Sequence, residues 1–313
     1  MRAVLLSSIV VCAWLWAPLS ADAQPDAPKT RPGDTVIVTG QKLAPEAIEK
    51  FVQSYAAPSL YLGKIARWKT AICPTVTGLN LDDATPIIQR IMAVAATIGA
   101  PVTADSSCTG NIEIMFTDAP QKLLDEVRDH QPYLVGYSRS PEQAGRLATV
   151  SHPIQAWYAT QWEDNNGRVH PDDRADHCGG INFKDAANGS ASCATSASNM
   201  GLRTGINGLR SEFFNILIVV NTDQSQGAVQ ASALADYLAM LALVQTQSFE
   251  TCQALPSITN LVSPNCEPGT KSTSLTDTDL AFLRAVYKAR PDKVLNQQLS
   301  DIAGEMAKGR AAE

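Results

Sequence analysis

The stretch from Ala228 to Gln245 is apolar nearly all round: Leu234, Ala235, Tyr237, Leu238, Ala239, Met240, Leu241, Leu243 and Val244 leave almost no wet face. A helix of this kind has to lie in the middle of a molecule, with other elements covering its flanks. Directly before it, Phe213 to Val220 is an almost continuous apolar run, the mark of a strand covered on both faces. A buried strand followed by a buried helix fixes where the core sits. The rest of the chain supplies the layers around that pair.

Those layers can be read from periodicity. Ala47, Ile48, Phe51, Val52 and Tyr55 recur at the spacing of one helical face between Pro45 and Ala57. Trp68 to Val76 reads as extended. Leu81-Asp82-Asp83 opens a helix with carboxylates in its first turn; Ile87, Ile88, Ile91, Met92, Ala95 and Ile98 form its buried stripe, and Gly99 ends it. Asn111 to Thr117 alternates as a strand does, Pro120 to His130 reads as a helix, and Ile154 to Trp162 as a further strand. Between Glu163 and Gly208 the chain is polar and rich in Gly, Ser and Asn, so a long irregular segment is expected there. Leu275 to Ala289, with Thr276 and Asp277 as capping residues, and Asp292 to Lys308 give two C-terminal helices. The expectation is an α+β fold: one domain over residues 44–313, with a mixed sheet packed by a central buried helix and by C-terminal helices.

The beginning of the chain reads as an export signal, so a domain outside the cytoplasm is expected. Arg2 precedes an apolar stretch from Ala3 to Leu19, followed by Ala21-Asp22-Ala23, the layout of a cleavable secretory signal over residues 1–23. Residues 24–43 are rich in Pro, Asp, Lys and Thr and read as a flexible leader. Within the leader, Asp34-Thr-Val-Ile-Val-Thr-Gly40 is similar to a short segment near the mature N-terminus of TonB-dependent outer-membrane receptors, which hints at a Gram-negative envelope and a periplasmic or secreted protein. No later apolar run is long enough to span a bilayer. A net charge of -6 with scattered basic residues excludes a nucleic-acid surface.

Cleavage after Ala23 would remove Cys12 and leave Cys73, Cys108, Cys178, Cys193, Cys252 and Cys266. In an oxidising compartment these form disulfides, and with no C-x-x-C in the chain a thiolate metal site or redox pair has little support. Six cysteines allow fifteen connectivities. Loop economy selects sequential pairing: 73 with 108, 178 with 193, and 252 with 266.

The order of the last elements carries a resemblance. A buried strand, a polar link, a central helix, a loop with Pro256-Ser-Ile-Thr-Asn260 and then Leu275-Thr-Asp-Thr-Asp-Leu-Ala-Phe-Leu-Arg-Ala-Val-Tyr287 resemble the C-terminal half of zincin-type domains. The final segment is similar to the helix after the Met-turn of metzincin proteases, and the stretch resembles a family of uncharacterised exported bacterial proteins with a zincin-like domain. Laid on the protease motif His-Glu-x-x-His-x-x-Gly-x-x-His, the central helix offers Ala235, Asp236, Ala239, Ala242 and Gln245. Two histidines one turn apart hold zinc from one helical face, and alanine has no lone pair to give. The resemblance therefore implies a zincin-like outline without the zinc site.

Asp236 is the one residue that breaks the apolar helix, and a carboxylate there must be paired or face a cleft. It is the candidate catalytic residue if it stands where the resembled proteases keep their base; alternatively it caps a loop or meets an arginine such as Arg203 or Arg210. His130, His152, His170 and His177 never lie three or four apart, so they rebuild no zinc motif. His170, Asp172, Asp173, Asp176 and His177 could hold a metal from a loop, although solvated acidic loops are commoner. Glu163-Asp164-Asn165-Asn166-Gly167 lacks the ligand spacing of an EF-hand. No nucleophile elbow, Ser-x-x-Lys pair, phosphate loop or dinucleotide fingerprint is present, and no cofactor is expected. The expected role is non-catalytic binding of a peptide, a protein or an envelope component. The rival is a hydrolase whose site comes from residues 162–211 and Asp236, with His170 or His177 approaching Asp236 or Ser211.

Overall fold

The apolar run at the centre of the sequence is a twelve-residue strand, β5 (Arg210–Asn221), and it is the middle strand of a five-stranded mixed sheet. The computed structural model describes residues 44–105, 107–138, 140–172, 208–225, 229–247 and 250–309. Contacts divide the chain at Gly40, and every described residue belongs to the unit Gln41–Glu313. The other strands are β1 (Pro74–Thr77), β2 (Ile112–Thr117), β3 (Ile154–Glu163) and β4 (Val169–Pro171), in the order β1-β2-β5-β3-β4. The β1-β2 and β2-β5 pairs are parallel; β3 runs antiparallel to both β5 and β4. The sheet is mixed, and the fold class is α+β.

Helices cover the two faces unequally. α1 (Pro45–Tyr55), α2 (Leu81–Ile98), α5 (Ala231–Leu243), α6 (Asp277–Lys288) and α7 (Leu295–Gly309) belong to the layer against which Ile112, Ile114, Ile216, Ile218 and Val220 pack. α3 (Pro120–His130) and the turn Pro132–Val135 cover Trp157, Leu217 and Val219 on the opposite face; α4 (Pro141–Leu147) completes the helices numbered here. β5 is buried on both sides because each face has its own cover, which is why its sequence shows a run and not an alternation.

α5 is sealed as its composition demands. From Ala235 to Leu243 every residue is buried, and Leu238, Leu241 and Leu243 each contribute about 1.5–3 kcal/mol by leaving water. Burial creates a problem at its C-terminal end, where the last carbonyls of a helix lack partners in the helix. Three aromatic side chains from three elements solve it. Trp68 Nε1 donates to the Ala242 carbonyl at 2.8 Å, Tyr158 Oη to Leu241 and Val244 at 3.1 and 3.2 Å, and Tyr287 Oη to Leu243 at 3.1 Å. Trp68 and Tyr287 thereby also fix the walls of the cleft described below.

The helix boundaries follow their sequence signals closely. α2 opens on Asn80, whose side chain accepts the Asp83 N–H at 3.0 Å, and closes on Gly99 at φ 80°. α6 opens with a reciprocal capping box between Thr276 and Asp279. Two of the expected disulfides are formed, Cys73–Cys108 and Cys252–Cys266. Cys178 and Cys193 lie outside the described residues, as do the signal, the leader and the segment Asp34 to Gly40. The extended reading of Trp68 to Val76 resolves into β1 plus single bridges, Arg67 with Glu212 and Ile72 with Val102. The polar stretch after Trp162 is more ordered than its composition suggests: β4 pairs with β3, and Glu163, Asp164 and Asp172 are buried. No helix among the described residues is long and apolar enough to cross a membrane.

Candidate functional site

The first residues of β5 lie beyond the point where β2 stops pairing with it, and the segment Arg67-Trp68-Lys69 takes up that vacated side. The Phe213 N–H donates to the Arg67 carbonyl at 3.1 Å, and Arg67 bridges Glu212 in parallel fashion. Gly99 and Pro101 after α2, and Tyr287 and Pro291 at the end of α6, close the remaining walls. The enclosed cleft has a volume of about 320 Å³, and Arg210, Ser211 and Glu212 of β5 line it.

Its charges are interlocked. Glu163, at the end of β3, pairs across the sheet with Arg210 and is only 5% exposed; Glu212, two residues further along β5, is 4% exposed. Lys69 Nζ donates to Glu163 at 2.5 Å and lies 3.8 Å from Glu212, while Arg210 Nη1 lies 3.8 Å from Glu163. The Lys69 ammonium holds the Glu163 carboxyl below its ordinary range. Burial, with Glu163 as an acceptor alongside, pushes Glu212 up to about 7. The two carboxyls therefore differ in protonation at neutral pH: one is an anion, the other shares its time between acid and anion. Ser211 also lines the cleft, fully buried, and its hydroxyl has no hydrogen-bond partner among the described residues.

Neighbouring groups hold this wall in place. Arg67 Nη1 donates to the carbonyls of Tyr287 and Ala289, both at 2.9 Å, and of Val286 at 3.3 Å, so one guanidinium caps the C-terminus of α6. The buried Lys64 donates to the Leu209 carbonyl at 2.6 Å and to that of Asp292 at 2.9 Å, and burial lowers its pKa to about 8. The start of β5 is thus tied to the link between α6 and α7.

Asp236 lies elsewhere. One oxygen pairs with Arg90 of α2 and the other accepts the Leu275 N–H at 2.9 Å, so its arginine partner is neither Arg210 nor Arg203, the latter outside the described residues. Ala235 is 5% exposed, and Ala239 and Ala242 are fully buried. His170 stacks on Trp162 at 4.0 Å and lies 3.7 Å from Asp164; Trp162 stands between it and Ser211 in the sheet, because it pairs with His170 on one side and Ser211 on the other. Asp172 meets Thr160, and Asp173, Asp176 and His177 lie outside the described residues. His130 contacts its own helix, and His152 lies 3.4 Å from Glu250. No group of three or more His, Cys, Asp or Glu suited to a metal occurs among the described residues.

The segment 162–211 contributes Arg210 and Ser211 to the lining of the cleft and Glu163 as the partner of Lys69 behind it, although no histidine. Lys69 and Glu212 are new. Their one sequence signal was Glu212 at the head of an apolar strand, a charge that register would bury. Scanned against family models the chain finds no match, and neither curated proteins nor solved structures return one.

Proposed function

We propose that this is an exported, zincin-like domain without metal chemistry that works by binding a peptide, a protein or an envelope component, and that the bound group enters the cleft at the start of β5. The observation that carries the reading is a contrast within one molecule. The helix positions where the resembled peptidases present imidazoles hold Ala235 and Ala239, both packed in the core, while the cleft of about 320 Å³ lies at Arg67, Lys69, Arg210 and Glu212. The volume falls at the lower end of ligand sites, and convergent polar groups on a rigid frame suit recognition. The periplasmic or secreted setting rests on the signal-like N-terminus and agrees with the two disulfides.

A second reading, an acid-base hydrolase, is favoured by the Glu163 and Glu212 pair. Carboxyls whose acidities are pushed apart serve as base and acid in many hydrolases. One experiment separates the two. The purified mature protein is incubated with peptides and cell-wall fragments, with and without chelator, and both retention and cleavage are followed. Retention without cleavage, indifferent to chelator, is the expected result. Turnover that Glu212→Gln abolishes would install the hydrolase, and stoichiometric zinc required for activity would overturn both readings.

A further inference from the structure

The cleft sits in a chain of net charge -6, yet the ionisable side chains that line it run the other way: Arg67, Lys69 and Arg210 against Glu212, with Glu163 behind Lys69. Resting on the binding role proposed above, we infer that the cleft recognises the free carboxylate at the end of a ligand chain, with Arg67 and Arg210 as its principal donors. Arg67 reaches the end of α6 through Nη1, so among the described residues Nε and Nη2 are left for the cleft that it lines. Arg210 is nearly half exposed, and its 3.8 Å approach to Glu163 is longer than a hydrogen bond, so its fork can turn to a carboxylate in two-pronged fashion.

A cationic ligand fits poorly. It would have to displace Lys69, whose ammonium already occupies the ground between Glu163 and Glu212. Size points to a chain end, since about 320 Å³ accommodates a terminus better than a through-running segment.

Glu212 then sets the pH range. The charged and titratable groups around it are Glu163 from β3, Lys69 and Arg67 from the segment beside β5, Arg210 from β5 itself, and Tyr287 from α6. Protonated, Glu212 can donate to the incoming carboxylate; ionised, it repels it. Binding therefore takes up a proton, and affinity falls by up to about tenfold per pH unit above about 7.

The test uses the mature protein and a mixed library of N-acetylated tripeptides, one half with free C-termini and the other amidated, with depletion from solution read by mass spectrometry. Free acids are expected to be retained near pH 6 at least about tenfold better than amides. Arg210→Gln should lose that preference, and Glu212→Gln, whose amide cannot ionise, should make the ratio of retention at about pH 6 to retention at about pH 8 close to one, whatever its absolute affinity. Equal retention of acids and amides overturns the carboxylate inference and leaves the binding role standing. Retention of neither removes both, and displacement of the free acids by an equal concentration of inorganic phosphate would show a general anion site and overturn the inference as well.

Discussion

Arg90 of α2 closes over Asp236 of α5, and the same carboxylate reaches past it to the Leu275 N–H at 2.9 Å. One side chain thus joins the sealed helix, the helix beside it and the approach to α6. The two contacts are unequal. Arg90 is 44% exposed on its side chain, whereas the Leu275 N–H and Asp236 are buried.

Removing either partner should therefore give different results. Arg90→Ala breaks an ion pair whose outer half is in water and should cost about 0–1 kcal/mol. Asp236→Ala also strands a buried N–H and should cost about 2–4 kcal/mol. Chemical denaturation of the two variants checks the order, and ligand retention by folded Asp236→Ala should match that of the parent. A loss of retention at unchanged stability would return Asp236 to the site.

Much of this frame was legible because it depends on local periodicity. Gly99 ended α2, Thr276 capped α6, and the run from Phe213 to Val220 announced a strand covered on both faces. The cleft was not legible, since Glu163 and Glu212 become neighbours only through the antiparallel register of β3 and β5, and Lys69 arrives from another part of the chain. A polar stretch such as Glu163 to Asp172 looks like open loop until β4 pairs with β3 and buries three of its carboxylates. Asp236 was conspicuous in sequence for the reason that a charge in an apolar helix always is. Its partner, Arg90, lay on a helix face that periodicity marked as wet.

The carboxyl pair makes stability depend on pH in a direction opposite to the usual acid-labile protein over part of the range. Glu212 titrates near 7 when folded against an ordinary 4.5, so the folded state holds its proton more tightly; that contribution is present below about 4.5 and is lost as pH rises towards 7. Glu163 is shifted downwards, and its contribution is present above the ordinary value and lost as pH falls through the folded one. From this pair the molecule should be most stable near about pH 4.5, where the Glu163 contribution is nearly complete and the loss of the Glu212 contribution has only begun. Glu212→Gln should flatten the decline between about pH 5 and 7 and gain on the order of 1 kcal/mol at the upper end, since solvent at the cleft mouth moderates the effect. Denaturation midpoints across the range test this, and parallel curves for parent and variant would refute it.

The two disulfides should contribute unequally in proportion to the loops they close. Cys73–Cys108 spans 35 residues and Cys252–Cys266 spans 14, so by chain entropy their loss costs about 4 and about 3 kcal/mol. Paired Cys→Ser variants at each bridge, unfolded in denaturant, should show both losses. Mass after alkylation without reductant should leave these four cysteines unlabelled. Labelling of any of them in the native protein would remove the corresponding bridge.

Writing a zinc-binding histidine pair into α5 gives the most direct test of the helix on which the functional reading depends. In Ala235→His with Ala239→His, two imidazoles stand one turn apart, which is the spacing that grips zinc on an open helical face. Here Ala239 is fully buried and Ala235 is 5% exposed, so the rings would enter a packed core. Overpacking costs about 1–3 kcal/mol at each position, and an imidazole without partners adds the penalty of a buried polar group. The double variant should be strongly destabilised, and zinc should not restore it, because an ion would have no path to a site filled by the neighbours of α5. Ala235→His alone, at the less enclosed position, should fold with a lower midpoint and bind no zinc. If instead the double variant melts like the parent and takes up one zinc per chain, the helix faces an open cleft, and the case for binding without metal at the start of β5 loses its foundation.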